Sequence, residues 1–244
     1  MEKAQANIRI NELKSLVNEA NRRYYVDNAP ILSDYEFDML LKELEALEAE
    51  YPELITEDSP TRKVGSDLVL SSPDQVHKKK EFQQYPHRYP MLSLGNTYDI
   101  SEVQAFADRV SRSIGTGFTY SCELKFDGTA ICLTYREGRL FRALTRGDGA
   151  IGDDVTENVR QIRNIPQVLS GSGWPEEFEI RGEIYMPWEA FDRLNEERLN
   201  DEEQPFANPR NAASGSLKLL DSKTVANRGL ECTLYHMLGE NLTF

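Results

Sequence analysis

The chain has 244 residues, of which 39% are hydrophobic and 28% charged, and its formal net charge is −13. That length and composition suit a globular protein with a sizeable core, built as one large domain or as a small one beside a medium one. No apolar run is long enough to span a bilayer, the charged start MEKAQANIRINELKSL is no signal peptide, and so acidic a chain should not grip nucleic acid strongly by itself.

Leu13, Leu16, Val17, Ala20 and Tyr24 recur at steps of three and four and predict a first helix with one apolar stripe. The proline of DNAPIL breaks it. Ser33 and Glu36 form an S-x-x-E capping box that opens a second helix, with Phe37, Leu40, Leu41, Leu44 and Leu47 as its buried face and Tyr51-Pro52 as its end. Residues 56–90, rich in Ser, Pro, Asp and Lys, read as a linker or extended wrap. From about residue 90 the pattern changes. YSCELK, TAICLTY, RLFRALTR and EFEIRGEIYM predict strands, with FDGT and REGR as turns between antiparallel pairs. ISEVQAFADRVSRSI, DVTENVRQIRNI and PWEAFDRLNEERL predict short helices. The fold class is therefore α+β: a small N-terminal helical domain (1–70), then an antiparallel-sheet domain (71–244). Three widely spaced cysteines, with no CxxC pair, point to a reducing compartment and away from a structural zinc.

ELKFDG, residues 123–128, carries the chemistry. As a strand it would place Ser121, Glu123 and Lys125 on one face and Tyr120, Cys122 and Leu124 on the other, with the second face toward the core. A lysine at a strand end, made neutral by desolvation or by cationic neighbours, is a nucleophile. Taken alone, the six residues also suit a solvated Lys-Glu pair beside an ordinary Asp-Gly turn. The neighbouring segments add the partners of phosphoryl transfer: Arg146 in TRGDG, Glu183 in RGEIYM, and Arg210 and Lys218 in the polar, small-residue segment FANPRNAASGSLK, each of which alone suits a loop or an exposed charge.

ELKFDG resembles the Lys-x-Asp-Gly motif of the covalent nucleotidyltransferases. HRYPMLSLGNTY (87–98), TRGDGAIGDDVTENVRQIRNIP (145–166), RGEIYM and FANPRNAASGSLKLLD (206–221) are similar, in order along the chain, to the NAD-dependent DNA ligases of bacteria. The resemblance implies that Lys125 attacks the α-phosphorus of NAD, forms a phosphoramidate with AMP and releases nicotinamide mononucleotide. AMP would then pass to a 5′-phosphate at a DNA nick for sealing. By the same resemblance Glu123 contacts the adenine, and Ser93 and Leu94 line the nucleotide pocket. Asp127 and Gly128 complete the motif, Arg146 and Glu183 serve the ribose and phosphates, and Arg210 handles phosphate or the leaving group. RRYYVDNAPILSDYEFD (22–38) resembles the N-terminal domain that closes on the nicotinamide half, through Tyr24, Tyr25, Asp34 and Asp38. Phe37 and Lys218 depart from the family's frequent Tyr and Arg. Mg²⁺, nicked DNA as partner of the whole enzyme, a monomeric state, the bacterial cytosol, and a place in DNA replication and repair are further implications. The family's later lysine motifs and its DNA-gripping modules are not found in the 244 residues. The sequence therefore reads as an N-terminal piece of a longer ligase, with a silent NAD- or adenine-binding fragment as the alternative.

GDGAIG (147–152) also satisfies G-x-G-x-x-G. Asp153 and Asp154 would occupy the helix start where a pyrophosphate should bind, and no acidic-ended strand follows at the Rossmann distance, so a hydride-carrier site is rejected.

Overall fold

In the computed structural model the described residues are 3–25, 30–56, 58–62, 82–240 and 242, without the side chains of Tyr25 and Asp34. The first helix, α1 (Lys3–Tyr25), and the second, α2 (Asp34–Glu50), pack through Ile10, Leu13, Leu44 and Leu47, with Leu40 and Leu54 at the margin. The capping box is present: the Ser33 hydroxyl accepts from the Glu36 N–H at 3.3 Å, and the Glu36 carboxylate accepts from the Ser33 N–H at 2.9 Å. The α1 stripe begins earlier than expected, at Ala6 and Ile10, while Leu16 is exposed. Arg22 and Arg23 occupy the last turn of α1, where cations suit the helix dipole.

Residues 63–81 of the expected linker lie outside the described residues. Beyond them the segment is not a free connection. Strand β1 (Gln84–Pro86) pairs antiparallel with β4 (Ile151–Asp153), and the backbone bonds continue from His87 N–H to the Ala150 carbonyl and from Met91 N–H to the Gly149 carbonyl.

The main sheet holds β2 (Thr129–Arg136), β3 (Arg139–Thr145), β5 (Glu177–Tyr185) and β6 (Glu231–Leu238) in the order β3-β2-β5-β6, all antiparallel. REGR makes the β2–β3 hairpin, with Glu137 and Gly138 both at positive φ, as a two-residue type I′ turn requires. One face of the sheet carries Ile131, Leu133, Tyr135, Phe178 and Ile184. It is covered by α5 (Trp188–Asn200), α6 (Pro209–Leu217) and the 155–165 segment through Phe191, Leu194, Ala213, Leu217, Val159 and Ile162. The other face carries Glu179, Arg181 and Glu183.

Several expected elements differ. DVTENVRQIRNI is helical only over α4 (Thr156–Val159), followed by tight turns that bury Ile162 and Ile165. The expected loop 206–218 contains α6: Asn208 is its N-cap, accepting from the Asn211 N–H at 2.8 Å, and Pro209 fills the first helical position. YSCELK forms no strand and has no ladder partner among the described residues. Its apolar face is uncovered, with Leu124 85% exposed, because a strand needs both a neighbour and a core to pack on. Helix α3 (Ile100–Ile114) forms as expected behind the Asp99 cap, but buries no residue. The remaining short helix is α7 (Ser222–Ala226).

Candidate active site

Gly128 anchors the Lys125 segment. A Cβ there would lie 2.1 Å from the Ile184 carbonyl oxygen, so only glycine allows the chain to close on β5. Its N–H lies near the Glu183 carboxylate and favours the ionised form. Glu183 opposes Ala130 on β2, and Thr145 opposes the next residue, Ile131. Arg146, one step past Thr145, therefore flanks Ala130 from the other side on the face that carries Glu183. Burial raises the Glu183 carboxyl above the ordinary glutamate range, against the opposing pull of Arg210, Lys125 and Arg146. One half-buried acid thus sits amid three cations.

Arg210 projects from the first turn of α6, and its guanidinium stands 3.3 Å from Asp127. The same helix end ties down α1. Asn211 donates its amide to the Tyr24 carbonyl at 2.8 Å, and Asn208 donates to the Tyr24 hydroxyl at 3.3 Å. From α2, Asp38 accepts from the Asn96 amide at 2.8 Å and from the Tyr98 hydroxyl. Lys42, one turn on, lies 4.7 Å over the Tyr98 ring and pairs with Glu102. Between these contacts lies a cavity of about 650 Å³, a size that suits a small organic ligand. Tyr24, Phe37 and Asp38 line one side, Gly95, Asn96, Thr97 and Tyr98 another, and Lys125, Asp127 and Arg210 the third.

The expected site residues therefore divide. Lys125, Asp127, Arg210, Tyr24 and Asp38 meet at the cavity. Gly128, Glu183 and Arg146 lie beside it. Ser93 and Leu94 are exposed and do not line the cavity, and Glu123 is exposed, accepting from the Ser121 hydroxyl at 3.4 Å. Lys125 is itself exposed, so the burial expected of it is not supplied by the described residues. The side chains of Tyr25 and Asp34 lie outside the described residues. Lys218 pairs with Asp153 at 3.0 Å, which turns it away from the cavity.

Asn96, Tyr98, Asn208 and Asn211 lie in segments that carry the resemblance but had no role of their own assigned there, and they join elements far apart in sequence. His87 is another such residue. Its Nε2 is 3.0 Å from the Arg146 carbonyl oxygen, so that nitrogen carries the proton. In the 146–151 turn the Asp148 carboxylate accepts from the N–H groups of Ala150 and Ile151, both at 2.8 Å, and these bonds hold it below the ordinary aspartate range. Those amides of the G-x-G-x-x-G match bind their own loop, which agrees with the rejected dinucleotide fingerprint. Cys132 and Cys232 are buried, and burial pushes both thiols up to about 12. Among the described residues no group of three or more His, Cys, Asp or Glu side chains could hold a metal ion. The described donors therefore make no cage for Mg²⁺.

A sequence model described as the NAD-dependent DNA ligase adenylation domain matches residues 79–243. The chain belongs to that family. A second model, the DNA ligase-like N-terminal NAD+-binding domain, matches residues 3–65. Among similar curated proteins, the DNA ligases of Parabacteroides distasonis and Bacteroides fragilis are each 54% identical over 234 residues, or 96% of this chain. That of Cytophaga hutchinsonii is 45% identical over 241 residues, or 99% of this chain. In each case the match spans 34% of the relative, so the chain covers about a third of the length of these ligases. The α+β architecture, helices first and antiparallel sheet after, is that of an NAD-dependent ligase adenylation segment with the covalent nucleotidyltransferase fold. Among the described residues no helix is long and apolar enough to cross a membrane.

Proposed function

We propose that this segment carries out the first step of NAD-dependent DNA ligation. The Lys125 amine, as the free base, attacks the α-phosphorus of NAD. A nitrogen–phosphorus bond forms, the bridging oxygen bond to nicotinamide mononucleotide breaks, and that mononucleotide leaves while AMP stays on the lysine. Arg146 and Arg210 stabilise the charge gathering on the phosphate oxygens, and Glu183 holds the ribose hydroxyls. The part before residue 70 grips the nicotinamide half through Tyr24 and Asp38, with Tyr25 and Asp34 assigned to the same grip. Glu123, Ser93, Leu94, Asp127 and Gly128 serve the adenylate side.

One observation carries this reading: the lysine of the Lys-x-Asp-Gly motif shares a single cavity with Tyr24 and Asp38 of the helical part. A nucleophile at the junction of the two parts is where a dinucleotide would be cut. In the whole enzyme the adenylate passes to a 5′-phosphate at a nick, with Mg²⁺ present, in the bacterial cytosol, during replication and repair. With a net charge of −13 the segment contributes little to holding DNA.

The test is incubation with NAD labelled in the adenylate, with Mg²⁺, followed by denaturing gel and intact mass. The wild type should gain one AMP, reversed by excess nicotinamide mononucleotide, and Lys125→Ala should gain none. Nucleotide binding with no covalent capture would replace the reading with that of a silent binding module.

A further inference from the structure

The apolar stripe of α1 runs through Ala6, Ile10, Leu13, Val17 and Ala20 and should continue with a hydrophobic residue one helical turn beyond Val17. Asn21 stands there instead, 5% exposed. The other buried polar side chains of this helical part are satisfied. Lys14 donates to Thr56 at 2.6 Å, and Glu48 accepts from Ser59 and Thr61, both at 2.5 Å. Asn21 lines the 650 Å³ cavity next to Tyr24, and its carboxamide is not among the buried polar atoms left without a partner, so it opens onto that cavity. A polar group that interrupts the apolar stripe and opens onto a cavity is placed to meet a ligand there.

Resting on the proposed nicotinamide grip, we infer that Asn21 is a specificity-determining residue that reads the carboxamide of the nicotinamide ring. The cavity supplies the matching surroundings: the aromatic rings of Tyr24 and Phe37 and the Asp38 carboxylate for a cationic pyridinium. Two carboxamides pair head to tail, each N–H donating to the other's carbonyl oxygen. A carboxylate in the same place keeps one of those bonds and turns its second oxygen against the Asn21 Oδ1. The site therefore selects the amide over the acid form of the ring.

The experiment titrates the chain with nicotinamide mononucleotide and with nicotinic acid mononucleotide by calorimetry. Binding is read directly, so the result does not depend on turnover. The wild type should prefer the amide by about tenfold or more, the range for one lost hydrogen bond at a buried polar site. Asn21→Leu, which restores the apolar stripe and should fold at least as well, should weaken the amide about tenfold and bring the two ligands near equality. Asn21→Asp, a second variant that retains one pairing bond and repels the acid, should widen the preference. A residue that only shaped the helix would move both affinities together and leave their ratio fixed. An unchanged ratio in Asn21→Leu and Asn21→Asp overturns the inference while leaving the nicotinamide grip intact. Failure of the wild type to bind either mononucleotide overturns the grip and the inference together.

Discussion

His87 holds Arg146 by its backbone: the ring Nε2–H donates to the Arg146 carbonyl at 3.0 Å, and the ring packs against Gly152, where a Cβ would come within 2.9 Å of that nitrogen. His87 is thus a positioning residue for an arginine proposed to meet the phosphates. Loosening a charged group by a fraction of an ångström weakens transition-state stabilisation more than folding. His87→Ala should lower kcat/KM for self-adenylation from NAD by about tenfold, a typical cost for one lost orienting hydrogen bond. His87→Gln, whose amide reaches where Nε2 does, should recover most of the loss. Equal rates in wild type and His87→Ala would remove the residue from the site.

Glu183 has a carboxyl raised from the ordinary 4.5 by burial. The folded state therefore binds the proton more tightly than the unfolded chain. Its stabilising contribution is complete below pH 4.5 and is lost as pH rises through the folded value. Glu183→Gln removes this dependence. Urea titrations at about pH 4 and pH 7 should show the variant gaining stability relative to wild type toward the higher pH. A variant that instead loses ground as pH rises would mean that the three neighbouring cations outweigh burial.

What could be read from the chain divides along physical lines. The capping box, the α1–α2 pair, strands β2, β3 and β5 and the REGR hairpin rest on local patterns, and local patterns survive folding. β6, with half-exposed residues and no clean alternation, is settled by its pairing with β5. The small-residue text of α6 hides a helix because its signal, Asn208-Pro209, is brief. YSCELK has the composition of a strand but finds no neighbour among the described residues. In the site, Lys125, Asp127 and Arg210 were legible by motif. His87, Asn96 and Tyr98 lie in a segment that carries the resemblance, but what each does rests on a contact that only the tertiary fold creates.

Gly128 admits a sharp comparison with Gly95. A Cβ at Gly128 would sit 2.1 Å from the Ile184 oxygen and 3.1 Å from the Tyr185 Cα, both backbone atoms that cannot step aside. At Gly95 it would meet nothing within 4 Å, although Gly95 also lines the cavity. Gly128→Ala should cost about 2 kcal/mol or more in urea unfolding, while Gly95→Ala should lie within about 0.5 kcal/mol of wild type. Covalent AMP capture should fall in the first variant, because the turn that bears Lys125 moves off β5. A Gly128→Ala protein with full stability and full capture would contradict this account of the turn.

Asp38 is already engaged where the ligand would need it. The Asn96 amide and the Tyr98 hydroxyl both donate to its carboxylate, and Tyr98 is further held by the Tyr35 ring edge at 5.3 Å and by Lys42. A cationic nicotinamide must share that carboxylate with these donors. Tyr98→Phe keeps the ring contacts and removes the hydroxyl donor, so Asp38 gains free acceptor capacity and more of its negative charge faces the cavity. Nicotinamide mononucleotide should then bind roughly threefold more tightly, within the range for one exchanged hydrogen bond. Calorimetry on the two proteins decides it. Weaker binding by Tyr98→Phe would mean that the hydroxyl meets the ligand itself, and that the bond to Asp38 orients the tyrosine instead of competing for the acid.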